Sequence, residues 1–270
     1  MTEAPAPDAA PVSPIDLFAP LRGDRALAGW IGAASTRAGG ASAAPFDTLN
    51  LGFSTGDDPE RVRENRRRLA AALGLGLGDL AVAGQEHGAL CGTIGRGERG
   101  EGVLAPSSRL RGRDAVHISE AGVFALSLSA DCPIVVIADP TGRRGGVAHA
   151  GWRGTAAGVV EALIAELRGA GSDLGECAAA IGPGICGGCY EVGGEVFDAV
   201  ASRPGAVEAR RGRHLDLRRI HRAILEVAGI PSERIAVSPR CSREEPEHFF
   251  SHRRDGARTG RAGIVAGWLP

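Results

Sequence analysis

Residues 133–138 form a continuous apolar run rich in β-branched side chains, the pattern of a strand buried on both faces. Asp139, Pro140, Thr141 and Gly142 supply a turn, and residues 145–148 a second short strand carrying His149 at its end. If these strands pair as a hairpin, the start of the first lies beside the end of the second, which brings Cys132 and His149 together. Apolar positions at Val159, Leu163 and Leu167 recur with helical spacing and predict one helix over residues 155–168.

The same reading extends along the chain. Strands are expected at residues 28–35, 80–83, 90–94, 123–128, 178–181, 235–237 and 263–266. Asp58 as N-cap with Pro59 behind it starts a helix that Gly74 ends; Val62, Leu69 and Leu73 form its core face and its arginines are expected in solvent. Further helices are expected at 194–200 and 216–227, a charged glycine-rich loop at 95–112, and a polar loop at 249–256. The first residues, rich in Ala and Pro, show no periodicity. Residues 1–20 are therefore read as a disordered tail and 21–270 as a single folded domain.

Net charge is −1 and pI about 6.7, so no overall positive field recruits nucleic acid. No stretch has the roughly 18 apolar residues of a membrane span, and the N-terminus lacks the pattern of a secretion signal, so a cytoplasmic location is expected. The sequence contains no lysine, which excludes a Walker A lysine and a Schiff base. Arginines or backbone amides must bind any anion. The six cysteines, without a secretion signal, read as free thiols or ligands. Cys186 and Cys189 have CxxC spacing, but no second pair completes a four-thiolate site, so they are expected to be packing thiols and not ligands.

The residues also carry a resemblance. Gln85, His87 and Gly88; Ala130, Asp131 and Cys132; the run His149, Ala150, Gly151, Trp152, Arg153, Gly154; Ile181, Gly182 and Pro183 with Tyr190 and Glu191; and Phe249, Phe250, Ser251, Arg253 and Arg254 together resemble the laccase-domain family. That family was first called multicopper polyphenol oxidases and is now described as purine nucleoside phosphorylases with adenosine deaminase activity. The resemblance implies an α+β fold, a layered α/β/β/α-type sandwich with mixed sheets. It implies phosphorolysis of adenosine, inosine and methylthioadenosine to the free base and (methylthio)ribose 1-phosphate, so the partners are a purine nucleoside and inorganic phosphate. It places a metal site on His87, Cys132 and His149, with zinc expected and copper the alternative. Two departures, His117 within residues 116–118 and His252 before the double arginine, leave that triad untouched.

Two imidazoles and one thiolate leave one of zinc's four tetrahedral positions open, as in catalytic rather than structural sites. An ion so held lowers the pKa of water to about 7, which suits displacement of an amine, and Asp131 or Glu191 is a candidate to move the proton. Cys132, His149, Asp131 and Arg153 are accordingly expected to be catalytic, Arg153 by holding phosphate at a helix start. An ion pair with an acid is the alternative use of Arg153. Arg37, Asn50, Gln85, Glu191, Arg253 and Arg254 are read as substrate-binding, although local loop hydrogen bonds would also account for Arg37 and Asn50. Two other readings stand beside the nucleoside enzyme. A copper polyphenol oxidase is disfavoured, because the His-x-His pairs of a trinuclear cluster are missing. A Cys/His or zinc hydrolase editing a peptidoglycan precursor would use Cys132 as nucleophile and His149 as base.

Overall fold

The computed structural model describes residues 11–21, 23–107 and 109–270. Its first half contains strands β1 (Ile15–Asp16), β2 (Trp30–Ala34), β3 (Leu80–Val82), β4 (Cys91–Ile94), β5 (Ala115–Ile118), β6 (Phe124–Ser129), β7 (Ile134–Asp139) and β8 (Arg144–His149). The second half adds β9 (Ala178–Ile181), β10 (Arg210–Arg211), β11 (His214–Leu215), β12 (Ile235–Val237) and β13 (Ala262–Trp268). The helices are α1 (Pro59–Ala72), α2 (Trp152–Ala157), α3 (Val159–Gly169), α4 (Gly194–Val200), α5 (Ala206–Ala209), α6 (Leu217–Val227) and α7 (His252–Asp255).

Two mixed sheets pack face to face. One has the order β1-β2-β13-β6-β3, antiparallel except for β3 beside β6; the other runs β12-β9-β7-β8-β5-β4 and is parallel only at its two edges. Trp30, Ala125, Ile264 and Trp268 of the first sheet meet Val116, Ile134, Val136 and Val147 of the second in one buried cluster. The outer face of the second sheet is covered by Val160, Leu163, Ile164 and Leu167 of α3 with Ile220 and Ile224 of α6. Leu69 and Ala70 of α1 cover the outer face of the first. Each such buried aliphatic side chain stabilises the fold by about 1.5–3 kcal/mol, far more than helix propensity supplies, which is why the apolar stripes decide the layering. The result is the expected α/β/β/α sandwich of mixed sheets in a single domain.

Several local expectations are corrected. The helix predicted over 155–168 begins at Trp152 and breaks in two at Gly158, whose φ of +87° lies in the left-handed region that a residue with a Cβ avoids. Of the tail expected over 1–20, residues 15–18 belong to the fold: Ile15 and Asp16 pair with Ala34 and Ala33, and Leu17 and Phe18 are buried, while residues 1–10 lie outside the described residues. Strand β5 falls where no strand was expected, because a four-residue run with His117 in its middle has no readable period. The loop at 249–256 contains the turn α7, with the Ser251 hydroxyl accepting the Arg254 N–H. Helix α1 keeps its Asp58 cap, but Arg66 is not in solvent: it is buried, donating to the carbonyls of Leu51, Gly102 and Val103, and burial pushes its pKa down to about 10. None of the described helices is long and apolar enough to cross a membrane.

Candidate active site and its metal donors

The expected hairpin forms. Strands β7 and β8 are antiparallel with Ile134 opposite His149, so the chain just before β7 and just after β8 run side by side, and the Ala150 N–H donates to the Pro133 carbonyl at 2.9 Å. Cys132 and His149 therefore meet at one sheet end. Gly151 permits the approach, since a Cβ there would stand 2.6 Å from the Cys132 sulfur and 3.6 Å from the His87 ring. His87 comes from the loop between β3 and β4, and its ring centroid is 4.9 Å from that of His149. One donor atom from each of His87, Cys132 and His149 lies within 4.8 Å of the other two.

Asp114, just ahead of β5, organises this loop and was not singled out from the sequence. Its carboxylate accepts the N–H groups of Glu86 (3.0 Å), His87 (2.9 Å) and Gly88 (2.8 Å). It also lies 3.0 Å from Nδ1 of His149. The three amide bonds hold His87 at a φ of 63°, a left-handed conformation that costs a residue with a Cβ about 1–2 kcal/mol. A proton on His149 Nδ1 facing Asp114 leaves Nε2 for the thiol or an ion, the usual way an outer carboxylate sets a histidine ligand's tautomer. The only signal for Asp114 in the sequence is an acid before a short apolar run, which is too common to notice.

Electrostatics follow from these contacts. Burial alone would raise the Cys132 thiol; the charge of His149 and hydrogen bonds from His149 and His87 outweigh it and lower the thiol to about 6. Burial likewise opposes charge on His149, but Cys132 and Asp114 together raise it to about 9. The Asp114 carboxyl is penalised by burial and nonetheless lowered by His149 and the loop amides. Both shifts favour a thiolate beside an imidazolium. A divalent cation would replace that imidazolium proton as the thiolate's counter-charge, and two nitrogens with one thiolate suit zinc.

Around this centre the other expected residues divide. Arg153 is exposed at the start of α2, stacked 4.3 Å over the Trp152 ring, with no ion-pair partner among the described residues. Because α2 has only six residues, the charge offered there is that of Arg153 more than of a helix dipole. The Arg253 guanidinium is also exposed, 4.8 Å over the Tyr190 ring and bonded through one nitrogen to the Glu191 carbonyl. The Glu191 side chain pairs with Arg213 at 2.9 Å. Asp131, at a φ of 90°, is occupied: Oδ1 accepts from the Ser242 hydroxyl and Oδ2 from the Arg253 N–H, each at 2.6 Å. These bonds tie the loops carrying Ser242 and Arg253 to the site.

Four residues read as substrate-binding have hydrogen-bond partners within the chain. Asn50 is wholly buried, its amide donating to Thr55 and Asp57 and its oxygen accepting from Gly52 and Arg261. Gln85 grips the backbone N–H and C=O of Leu128, each at 2.7 Å. Arg37 donates to the Asp47 and Pro246 carbonyls, pairs with the Asp47 carboxylate and lies over the Phe250 ring. Arg254 is held by Asp255 and by the carbonyls of Ser242 and Phe249. Their hydrogen-bonding capacity is used inside the chain, which their residue types could not reveal. Tyr190, named above only as part of a motif, lies near this centre. It is buried, and burial with the negative Cys132 nearby pushes its hydroxyl up to about 12 against the opposing pull of Arg253 and Arg153. It keeps its proton and can donate.

Asp114→Asn tests the role of the buried carboxylate. It is expected to weaken zinc retention or turnover by about 10- to 100-fold, the usual loss when a ligand's outer partner is altered. Competition with a chromogenic chelator measures it; wild-type affinity and turnover would reduce Asp114 to a loop-packing residue.

The fold and site define a mixed α/β protein with a His/Cys donor set at one end of a central hairpin. The chain belongs to the multi-copper polyphenol oxidoreductase laccase family, whose model matches residues 32–268. It is 40% identical over 236 residues to a purine nucleoside phosphorylase of Deinococcus radiodurans, covering 86% of this chain and 87% of the relative. It is 35% identical over 227 residues to adenosine deaminase RL5 from an unknown prokaryotic organism, covering 80% and 85%. Among solved structures it resembles the Bacillus licheniformis hypothetical protein YfiH, with a TM-score of 0.86, 32% identity, and 90% and 94% of the two chains covered.

Proposed function

We propose that the chain is a zinc-dependent purine nucleoside enzyme, which phosphorolyses adenosine, inosine and methylthioadenosine and also deaminates adenosine. The observation that carries the reading is the convergence of His87, Cys132 and His149 donors within 4.8 Å, in a chain whose relatives are named for these two activities. When bound there, zinc supplies Lewis acidity and acidifies water. The chain's own residues supply the rest. Asp114 holds His149 in one tautomer and the 86–88 loop in place. Arg153 and Arg253 offer two exposed guanidinium groups for phosphate oxygens, and the Tyr190 hydroxyl between their influence and that of Cys132 donates a hydrogen bond. In phosphorolysis a phosphate oxygen bonds to C1′ of the ribose as the C1′–N9 bond breaks and the base leaves with a proton.

The test measures hypoxanthine released from inosine with and without phosphate, and inosine formed from adenosine, on the purified chain with its metal content determined. Phosphate-dependent hypoxanthine together with phosphate-independent deamination supports the reading; neither product from a metal-loaded chain overturns it. A second reading is favoured by the meeting of the Cys132 sulfur and the His149 ring at one sheet end, where His149 would take the thiol proton and the thiolate attack an amide carbonyl, as in a cysteine hydrolase acting on a peptidoglycan precursor.

A further inference from the structure

We infer that the chain holds a second, structural metal ion, bound by Cys186, Cys189, Cys241 and Glu244. These four come from two loops far apart in sequence, with a separation of 55 positions from Cys186 to Cys241 and again from Cys189 to Glu244. A donor atom of each lies within 4.8 Å of the other three. The Cys189 sulfur is 3.2 Å from one Glu244 oxygen and the Cys186 sulfur 3.7 Å from the other. The reason for expecting Cys186 and Cys189 not to be ligands was that no second pair completes the set. Folding completes it with one thiol and one carboxylate, which no spacing rule connects to a CxxC.

The surroundings are built for this. The Cys189 N–H donates to the Cys186 carbonyl at 3.0 Å, closing the turn between the two. The Cys186 N–H donates at 3.3 Å to the Cys241 sulfur, a contact that stabilises a thiolate. The loops are also joined backbone to backbone: Gly184 bridges Cys241, and the Ser242 N–H donates to the Gly184 carbonyl at 3.1 Å. Cys241 is buried, Cys186 and Cys189 are half-buried and Glu244 is exposed. All three are free thiols. Four donors leave no open position, and a thiolate-rich set selects zinc over magnesium or calcium, so the ion is structural. It ties together two loops that flank the first centre, since Tyr190 follows Cys189, and Ser242, which bonds Asp131, follows Cys241.

The experiment is elemental analysis of the full chain purified under reducing conditions. About two zinc per chain are expected, falling to about one in C186S/C189S and to about one, at the other centre, in Cys132→Ala. Because the two variants remove different ions, failure here is distinguishable from failure of the proposed nucleoside chemistry. Cobalt added to the metal-stripped chain locates the sulfurs independently. Three of the four thiolates belong to the second site, so C186S/C189S should lose most of the thiolate-to-cobalt charge-transfer absorption. Glu244→Gln, exposed and leaving every sulfur in place, should release the second ion to a chelator at least about 10-fold faster. One zinc per chain in the wild type, unchanged in C186S/C189S, with cobalt absorption also unchanged, overturns the proposal.

Discussion

Cys132→Ala is expected to yield a folded chain that has lost the ion at His87 and His149, and with it both hypoxanthine release from inosine and conversion of adenosine to inosine. Cys132 provides the one anionic donor of this centre, its thiol lowered to about 6 by the two imidazoles. Without it, two neutral nitrogens remain, one of them already committed through its ring to Asp114. The loss should exceed the roughly 10- to 100-fold typical of removing an outer partner, because a ligand itself is gone. The backbone around the site is held by the β7–β8 pairing and by the Asp114 amide bonds, none of which uses the sulfur. Undiminished metal at this centre would sink the assignment. Retained metal with every activity abolished would instead point to Cys132 as a nucleophile.

Arg153→Ala is expected to separate the two reactions. Phosphorolysis consumes phosphate and deamination does not, so a phosphate-holding residue should matter to the first alone. Arg153 is exposed beside the centre, stacked on Trp152, with no ion-pair partner among the described residues. Loss of a charge-assisted bidentate contact costs about 1.5–3 kcal/mol, a roughly 10- to 150-fold fall in hypoxanthine release at limiting phosphate. Adenosine deamination should stay close to wild type. If both fall equally with zinc retained, Arg153 serves the purine or the fold. Phosphate would then be sought at Arg253, since Arg37 and Arg254 are already bonded within the chain.

Purely local information determined a good deal here. A continuous β-branched run, a four-residue turn and a second short strand are enough to predict the β7–β8 hairpin, because strand pairing across a tight turn leaves one geometry. Capping chemistry at Asp58 and Pro59 set the start of α1, since caps act within a few residues. The juxtaposition of Cys132 with His149 followed from the hairpin alone.

Tertiary structure decided whatever depends on partners distant in the chain. Asp114 meets His149 across a separation of 35 residues, and Glu244 meets Cys189 across 55, so neither reads as a ligand or its support in sequence. The same holds for residues judged by type. Asn50, Gln85, Arg37 and Arg254 have the side chains of a binding site, and which distant groups within the chain they bond is decided only by what packs beside them. Asp131 is the sharpest case: next to a metal donor in sequence, it is tied by Ser242 and Arg253, more than a hundred residues away, into the wall of the site.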